Sequence, residues 1–359
     1  MKATGACVLA SLFVVSSAAL AEQPAGAWLA AAGKVVEEPA PSGAPSGSWL
    51  AAAEKKAAES EVKAEAKAAE PKGDGPPLPL HTIEGVGGAL TVPMAYLVNP
   101  GPEGTVIGKP AVSATFLGLS TKNVFTLAVT ETLFRRVELG YAVSRFDIGN
   151  LGHVAKKVTG GAISLSRRDI WLHHFNARVL VLEENSFGLP LPSVVVGMQA
   201  KFNGSIQDLN HDTKVLFPDG AFDTIGLERA NGIDYVVTTS KTFPTLLFGR
   251  PLILTFGVRN SQASNFGYTG FGDSCHTTIE CDAATLVTDW LAVGYEFRQR
   301  TDPYDKFKPL HKGETNLHAI RAAIIINENL TLAGGWACMG NVANDRVDCA
   351  WGIQLKYEF

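Results

Sequence analysis

The sequence predicts an all-β protein, a transmembrane antiparallel β-barrel of about 12 strands preceded by a disordered or partly helical periplasmic arm. Three observations predict this fold. After residue 110, segments of about ten residues alternate apolar and polar side chains, which is the two-residue period of a strand. The connections between these segments are mostly short and long in turn, as in outer-membrane barrels. The chain also ends in an alternating strand that closes on a phenylalanine.

The composition excludes several other classes of protein. Hydrophobic residues make up 46% of the 359 residues, too many for a disordered chain, and 36 glycines are far fewer than a collagen needs. The formal net charge of −4 provides no basic excess that could neutralise phosphates, so we expect no nucleic-acid partner. Beyond the N-terminus no segment approaches about 18 consecutive apolar residues, which excludes a membrane-spanning helix.

The N-terminal part reads as an export signal followed by a linker. Residues 1–21 combine a lysine, an apolar stretch and the small residues Ala19 and Ala21, which is typical of a signal peptide. Residues 22–80 are rich in Ala, Pro, Glu and Lys and cannot bury enough apolar surface to offset their ordering entropy. We interpret them as a periplasmic linker.

The linker contains a repeat. The segment Trp28-Leu29-Ala30-Ala31-Ala32 recurs 21 residues later as Trp49-Leu50-Ala51-Ala52-Ala53. Two copies are fewer than a stacked repeat array needs. The repeat is therefore either a duplicated linker or a pair of anchors for a periplasmic or cell-wall partner, and the first reading is favoured.

The strands are placed by their alternation and by the turn residues between them. We expect tight turns at Arg135 and at 185–189, 288–289 and 327–328, and long loops at 149–171, 204–232, 263–281 and 301–313. The barrel domain is 110–359, and the remaining segment 81–109 is interpreted as a plug or cap of the lumen. The predicted strands lie near 110–120, 123–134, 136–148, 172–185, 190–203, 233–243, 250–262, 282–289, 290–300, 314–326, 329–339 and 346–359.

The C-terminal sequence WGIQLKYEF resembles the terminal signal by which the barrel-assembly machinery recognises bacterial outer-membrane proteins. Its alternate residues are Trp351, Ile353, Leu355, Tyr357 and Phe359. The predicted location is therefore the bacterial outer membrane, with outer-membrane lipid and the assembly machinery as partners.

Four stretches carry a more specific resemblance: IEGVGGALTVPMAYL, LFRRVELGYAVSRFDIG, LPSVVVGMQAKF and TDWLAVGYEFRQRTDP. They resemble a family of bacterial outer-membrane proteins catalogued only as a domain of unknown function, over about residues 81–359. The resemblance implies a barrel after a signal peptide. It carries no substrate and no catalytic residue, and it does not extend to the linker or to the cysteines.

Charged residues on the polar strand faces are expected to point into the lumen, since a charge on the lipid face costs about 2–4 kcal/mol at mid-membrane. Twelve strands lie between a filled barrel of eight and an open channel of sixteen. Structural ion pairs that narrow the pore are favoured over a selectivity filter. The expected lumen-facing charges are Glu138, Arg178, Lys201, Arg259, Glu296, Arg298, Arg321, Lys356 and Glu358, with Gln199 beside them.

Four cysteines follow the signal peptide, an even number that favours disulfides in an exported protein. Local pairing predicts Cys275 with Cys281 inside one loop and Cys338 with Cys349 across a hairpin. None of these spacings matches a zinc site, so we expect no metal and no cofactor.

Two classes of function remain open. The favoured one is a narrow passive channel, or a structural or anchoring protein, with no enzymatic activity. The alternative is an outer-membrane hydrolase acting on lipid, for which Ser166, His173 and His174 are the nearest candidates. No Ser, His and Asp or Asn set stands at a matching depth of the predicted barrel, which disfavours catalysis.

Overall fold

The computed structural model describes residues 79–227, 229–300, 314–342, 345–347 and 349–359. The predicted signal peptide and all but the end of the predicted linker lie outside the described residues, and so does the Trp-Leu-Ala repeat. The described chain folds as a closed antiparallel barrel of 12 strands.

The strands follow one another around the barrel in chain order. The last strand closes the barrel by pairing with both the strand before it and the first strand of the barrel. The strands of the barrel are β3 (Ala111–Leu119), β4 (Lys122–Leu133), β5 (Val137–Asp147), β6 (Asp169–Leu182), β7 (Ser193–Asn203), β8 (Asn231–Leu247), β9 (Arg250–Ala263), β10 (Phe271–Thr288), β11 (Leu291–Arg298), β12 (Leu317–Ile325), β13 (Leu330–Cys338) and β16 (Ala350–Glu358). Two short pairs lie outside this sheet: β1 (Leu80–His81) with β2 (Gly87–Gly88), and β14 (Gly340–Val342) with β15 (Asp345–Val347).

The predicted long loop at 263–281 is wrong. Strand β10 begins at Phe271, so only residues 264–270 connect it to β9. The first half of β10 is paired with β9, for example Thr277 with Asn260, but its outward residues are polar and exposed. Without an apolar outer face this half carries no alternation, and the sequence pattern therefore missed it.

The connections divide between the two ends of the barrel. The end that holds Phe359 carries the connections 134–136, 183–192, 248–249, 289–290 and 326–329. The other end carries 120–121 and five longer connections, which contain α1 (Leu151–Val158), α2 (Ile206–Asp212), α3 (Ala221–Thr224) and the β14–β15 pair. Short turns mark the periplasmic end of such barrels and long loops the extracellular end. None of the described helices is long and apolar enough to cross a membrane.

The barrel wall is apolar outside and polar inside. In β11, Tyr295 is 45% exposed on the outer face while Glu296 beside it is fully buried. In β16, the five residues of the C-terminal pattern are exposed, whereas Gln354 and Lys356 between them are buried. This arrangement suits a lipid exterior and is the reverse of a soluble β-protein. The protein is an outer-membrane β-barrel.

Residues 79–98, called the inner segment below, lie inside the barrel and are mostly buried. The segment enters at the periplasmic end, where Lys356 Nζ donates to the Pro79 carbonyl oxygen. Its β1–β2 hairpin reaches Ile83, which belongs to an apolar cluster with Leu119 and Phe146 near the extracellular end. The segment then returns to the periplasmic end, where the Asn99 side chain donates to the Phe359 carbonyl oxygen at 3.4 Å.

Candidate functional site

Five consecutive strands, β7 to β11, contribute one charged side chain each to a row on the inner wall in which the signs alternate, and Asp282 and Glu296 also lie on the inner faces of β10 and β11. The residues of this row are Lys201, Asp234, Arg259, Glu280 and Arg298, called the charge ladder below. Asp234 Oδ2 lies 2.6 Å from Lys201 Nζ and 3.0 Å from an Arg259 guanidinium nitrogen. Glu280 Oε2 lies 3.2 Å from Arg259 Nε and 3.7 Å from Arg298 Nε. All five side chains are buried, so these ion pairs act with little screening by water.

Glu84, on the β1–β2 turn of the inner segment, contacts all three cations of the ladder. Its Oε1 lies 2.5 Å from Lys201 Nζ, and its Oε2 lies 2.7 Å from Arg298 and 3.3 Å from Arg259. The ladder alone carries one net positive charge, three cations against two carboxylates. The fully buried Glu84 carboxylate balances that charge.

Glu296 on β11 holds the next part of the inner segment. Its two carboxylate oxygens accept hydrogen bonds from the main-chain N–H groups of Leu90, Thr91 and Val92 at 2.7–3.2 Å. On the wall side, Arg321 contacts both Glu296 and Asp282. A buried carboxylate is thus satisfied jointly by a wall arginine and by the backbone of the inner segment.

Two strands on the opposite side hold the segment through Glu138 and Arg178. Glu138 accepts from the N–H groups of Gly87 and Val98, both at 2.9 Å. Arg178 donates to the carbonyl oxygens of Gly87 and Met94 at 2.9 and 2.8 Å.

Near the periplasmic end, polar side chains surround the first residues of the inner segment. The His81 ring bridges Ser113 at 2.9 Å and Thr130 at 2.8 Å, and Gln354 hydrogen-bonds the His81 backbone on both sides. Lys356 contacts Glu358 as well as Pro79.

The inner segment approaches the wall most closely at two glycines. Gly85 has a φ of +79°, a backbone conformation that favours glycine, and a Cβ there would lie 2.5 Å from the Ala142 Cβ. A Cβ on Gly140 would lie 2.4 Å from the Gly85 carbonyl oxygen. Glycine at both positions lets the β1–β2 turn rest directly on β5.

Little free space remains around the inner segment. A cavity of about 40 Å³ lies between it and strands β9 to β12, lined by Leu80, Met94 and Ile253 among others. This volume admits a few water molecules but no larger solute. Above it, an apolar cluster that includes Phe146, Phe266, Phe271 and Leu317 lies in the extracellular part of the barrel.

The structure places all nine of the expected lumen-facing charges on the inner wall, each at most 9% exposed. Gln199 also lies there and accepts from Arg259 at 2.8 Å. The sequence analysis missed Glu84, Asp234, Glu280 and Asp282. Asp234 precedes the outward Tyr235, so the alternation could have identified it, whereas Glu280 fell in the incorrectly predicted loop.

The four cysteines within the described residues are free thiols. The predicted pair Cys275 and Cys281 is wrong, because both lie on β10 and six residues of extended chain span about 20 Å, whereas a disulfide needs Cα atoms within about 7 Å. The second predicted pair, Cys338 with Cys349, is compatible with the strand pairing. Ala337 and Ala350 are partners across β13 and β16, so Cys338 and Cys349 follow as the next opposed pair.

Of the three residues considered for catalysis, Ser166 and His173 have other partners. Ser166 Oγ donates to Asp212 at 2.7 Å, and His173 Nδ1 lies 2.8 Å from the Tyr141 hydroxyl on the outer wall. His174 lies on the inner wall and is buried. Within the described ranges, no group of three or more His, Cys, Asp or Glu side chains is arranged to hold a metal ion.

A family model described as "Protein of unknown function (DUF3034)" matches residues 79–356. Among solved structures, the chain is similar to the KdgM porin (8% identity, 69% of this chain and 99% of that chain, TM-score 0.42). It is also similar to LpxR from Salmonella typhimurium (9%, 69% and 100%, 0.41) and to the outer membrane protein Omp33 of Acinetobacter baumannii (9%, 71% and 99%, 0.39). No curated protein matches the sequence.

Proposed function

The chain belongs to this family, whose function is unknown, and we propose that the protein is a narrow gated channel of the outer membrane, closed by its own inner segment. The observation that carries the proposal is the position of Glu84, a carboxylate of the inner segment that neutralises three wall cations. Ionisable groups at membrane depth are costly, and they commonly mark a pathway for a solute or an ion.

The path of the inner segment supports a movable closure. Both of its ends lie at the periplasmic end, near Lys356 and Phe359, so it can leave the lumen without threading through the barrel. Between small apolar clusters that contain Leu90, Val92 and Leu97, the segment contacts the wall charges through hydrogen bonds and ion pairs. Water can replace such contacts once the lumen is wet, so their net contribution to stability is smaller than that of apolar packing of the same size.

The width of the barrel also supports a channel. An eight-stranded barrel is filled by its own wall side chains, whereas a sixteen-stranded barrel leaves an aqueous pore. In this barrel of 12 strands the remaining space is filled by the inner segment. Withdrawal of residues 79–98 would therefore leave a narrow passage in the membrane part of the lumen.

A structural or anchoring role is the second candidate, and one observation favours it. The apolar cluster at the extracellular end, with Phe146, Phe266 and Phe271, is packed like a protein core and would stay in place in an anchor. An anchor would hold the linker after the predicted signal peptide, residues 22–78, at the periplasmic surface, where a periplasmic or cell-wall partner could bind it.

Planar-bilayer conductance distinguishes the two candidates. The full chain should give no steady current, and a variant without residues 79–98 should give one. The Glu84→Ala variant provides a milder opening if the deletion variant does not fold, and heat-modifiable migration on gels reports folding of each. A matched control is Glu183→Ala, which removes a half-exposed ion pair with Arg136 outside the lumen and should stay closed.

Steady current from the full chain equal to that of the deletion variant would refute closure by the inner segment. No current from any folded variant would refute the channel and leave the anchor.

A further inference from the structure

The charge ladder has the net charge that a binding site for one carboxylate group requires. Its three cations and two carboxylates sum to +1, and its groups lie on the strands of a closed sheet. The group that neutralises it, Glu84, lies on a turn between the short strands β1 and β2. The wall therefore provides the binding groups, and the inner segment provides the carboxylate that they bind. The segment is held to the wall only by its non-covalent contacts.

The geometry of the site is specific for a carboxylate. Both Glu84 oxygens are held: Oε1 by Lys201 at 2.5 Å and by Arg298 at 3.2 Å, and Oε2 by Arg298 at 2.7 Å and by Arg259 at 3.3 Å. The two contacts from Arg298 form the planar fork that matches two carboxylate oxygens. Chloride is a single atom and does not offer the two oxygens that this fork matches. A phosphate dianion would leave the site with excess negative charge.

The site has little free space beyond the carboxylate group itself. The Phe266 ring lies 4.3 Å from the Arg298 guanidinium carbon and covers the site on its extracellular side. A cavity of about 20 Å³ beside it, lined by Arg259, Ser261, Phe266 and Arg300 among others, admits about one water molecule. A ligand would therefore bind by placing its carboxylate where the Glu84 carboxylate lies.

We propose that Lys201, Arg259 and Arg298 form a carboxylate-binding site of the barrel wall, that Glu84 is its intramolecular occupant, and that a small carboxylate-bearing solute is its ligand. This proposal rests on the proposed function, since the solute reaches the site only when the inner segment leaves it. It assigns the ligand class of the channel.

Chemical rescue tests the site. The Glu84→Ala variant keeps the β-carbon and leaves space for the removed CH₂–COO⁻ group, which has the size of acetate. We expect the variant to unfold at a lower temperature in chloride. Acetate at about 100 mM and equal ionic strength should restore at least half of the lost midpoint in a saturable manner, because it binds the folded state.

The matched control is Glu84→Gln, which removes the charge but still fills the space. Acetate should not raise its unfolding midpoint. If Glu84→Ala does not fold in chloride, the refolding yield becomes the readout, and acetate should recover the folded, heat-modifiable form.

An equal effect of acetate and chloride on Glu84→Ala, or an equal acetate effect on both variants, would overturn the carboxylate site. Such a failure is distinguishable from failure of the proposed function, since closure is tested by the bilayer currents of the full chain and of the variant without residues 79–98, and neither measurement involves acetate.

Discussion

Arg178 on β6 and Glu138 on β5 form a buried pair, with Nε–Oε1 and Nη2–Oε2 separations of 3.1 and 2.6 Å, and both residues also hold the backbone of the inner segment. Glu138 accepts hydrogen bonds from two N–H groups of the inner segment, and Arg178 donates to carbonyl oxygens of the same segment. A single pair of wall residues thus joins adjacent strands and fixes the segment between them.

Replacement of Arg178 by Met should lower the free energy of unfolding by about 3–5 kcal/mol, because it leaves the Glu138 carboxylate buried and unpaired. Urea unfolding of the folded barrel measures the effect. The control is Arg136→Met, whose ion pair with Glu183 is about half exposed and should cost at most about 1 kcal/mol. Equal losses for the two variants would contradict the role of the buried pair.

Gly140→Val should displace the inner segment, because any Cβ at this position meets the Gly85 carbonyl oxygen at 2.4 Å. We expect a loss of about 1–3 kcal/mol, as in other overpacked interiors, together with faster proteolysis of residues 79–98. Gly334→Ala is the control, since the nearest atom to a Cβ there lies 3.4 Å away. Unchanged proteolysis of Gly140→Val would argue against the close approach of turn and wall.

Cys338 and Cys349 should form a disulfide under oxidising conditions, because opposed residues of antiparallel strands have Cα atoms within reach of one. A loop this short gains at most about 3 kcal/mol from the link. Cys275 and Cys281 should remain unpaired with each other. Peptide mapping without reductant reads both outcomes, and recovery of a 275–281 peptide pair would contradict the strand assignment of β10.

Deletion of Phe359 should abolish assembly in the outer membrane. The residue ends the strand that closes the barrel, its N–H donates to the Pro110 carbonyl oxygen at 3.1 Å, and its side chain is 53% exposed to the lipid side. The amount of folded protein in outer-membrane fractions measures this. Glu358→Gln, which keeps the terminal aromatic pattern, is the control, and a deletion variant at the level of the full chain would refute the terminal signal.

The sequence predicted the 12 strands because lipid imposes an apolar residue at each outward position, which is every second residue of a strand. The first half of β10 lies beyond the lipid, so its outward residues need not be apolar. The alternation of apolar and polar residues is therefore absent there. The same alternation also assigned charged residues such as Arg298 and Lys356 to the inner wall, without any knowledge of their partners.

The contacts of the inner segment could not be predicted in the same way. Residues 83–98 carry no period, and their positions depend on individual bonds between wall side chains and main-chain groups, such as Glu296 with Thr91. The role of Glu84 depends on a net charge summed over five strands, which no local sequence window contains. Of the two ladder carboxylates, Glu280 is likewise identified only when the register of β10 is known.

The central claim, that the inner segment fills the lumen, is tested most directly by the labelling rate of a thiol at position 91. Thr91→Cys is made in a chain in which the four cysteines that follow the predicted signal peptide are replaced by Ser, and a water-soluble maleimide is added to outer membranes opened on the periplasmic side. Thr91 is 7% exposed and is held by Glu296, so its replacement should react at least tenfold more slowly than Glu103→Cys on the exposed periplasmic loop. Equal rates at the two positions would contradict the account.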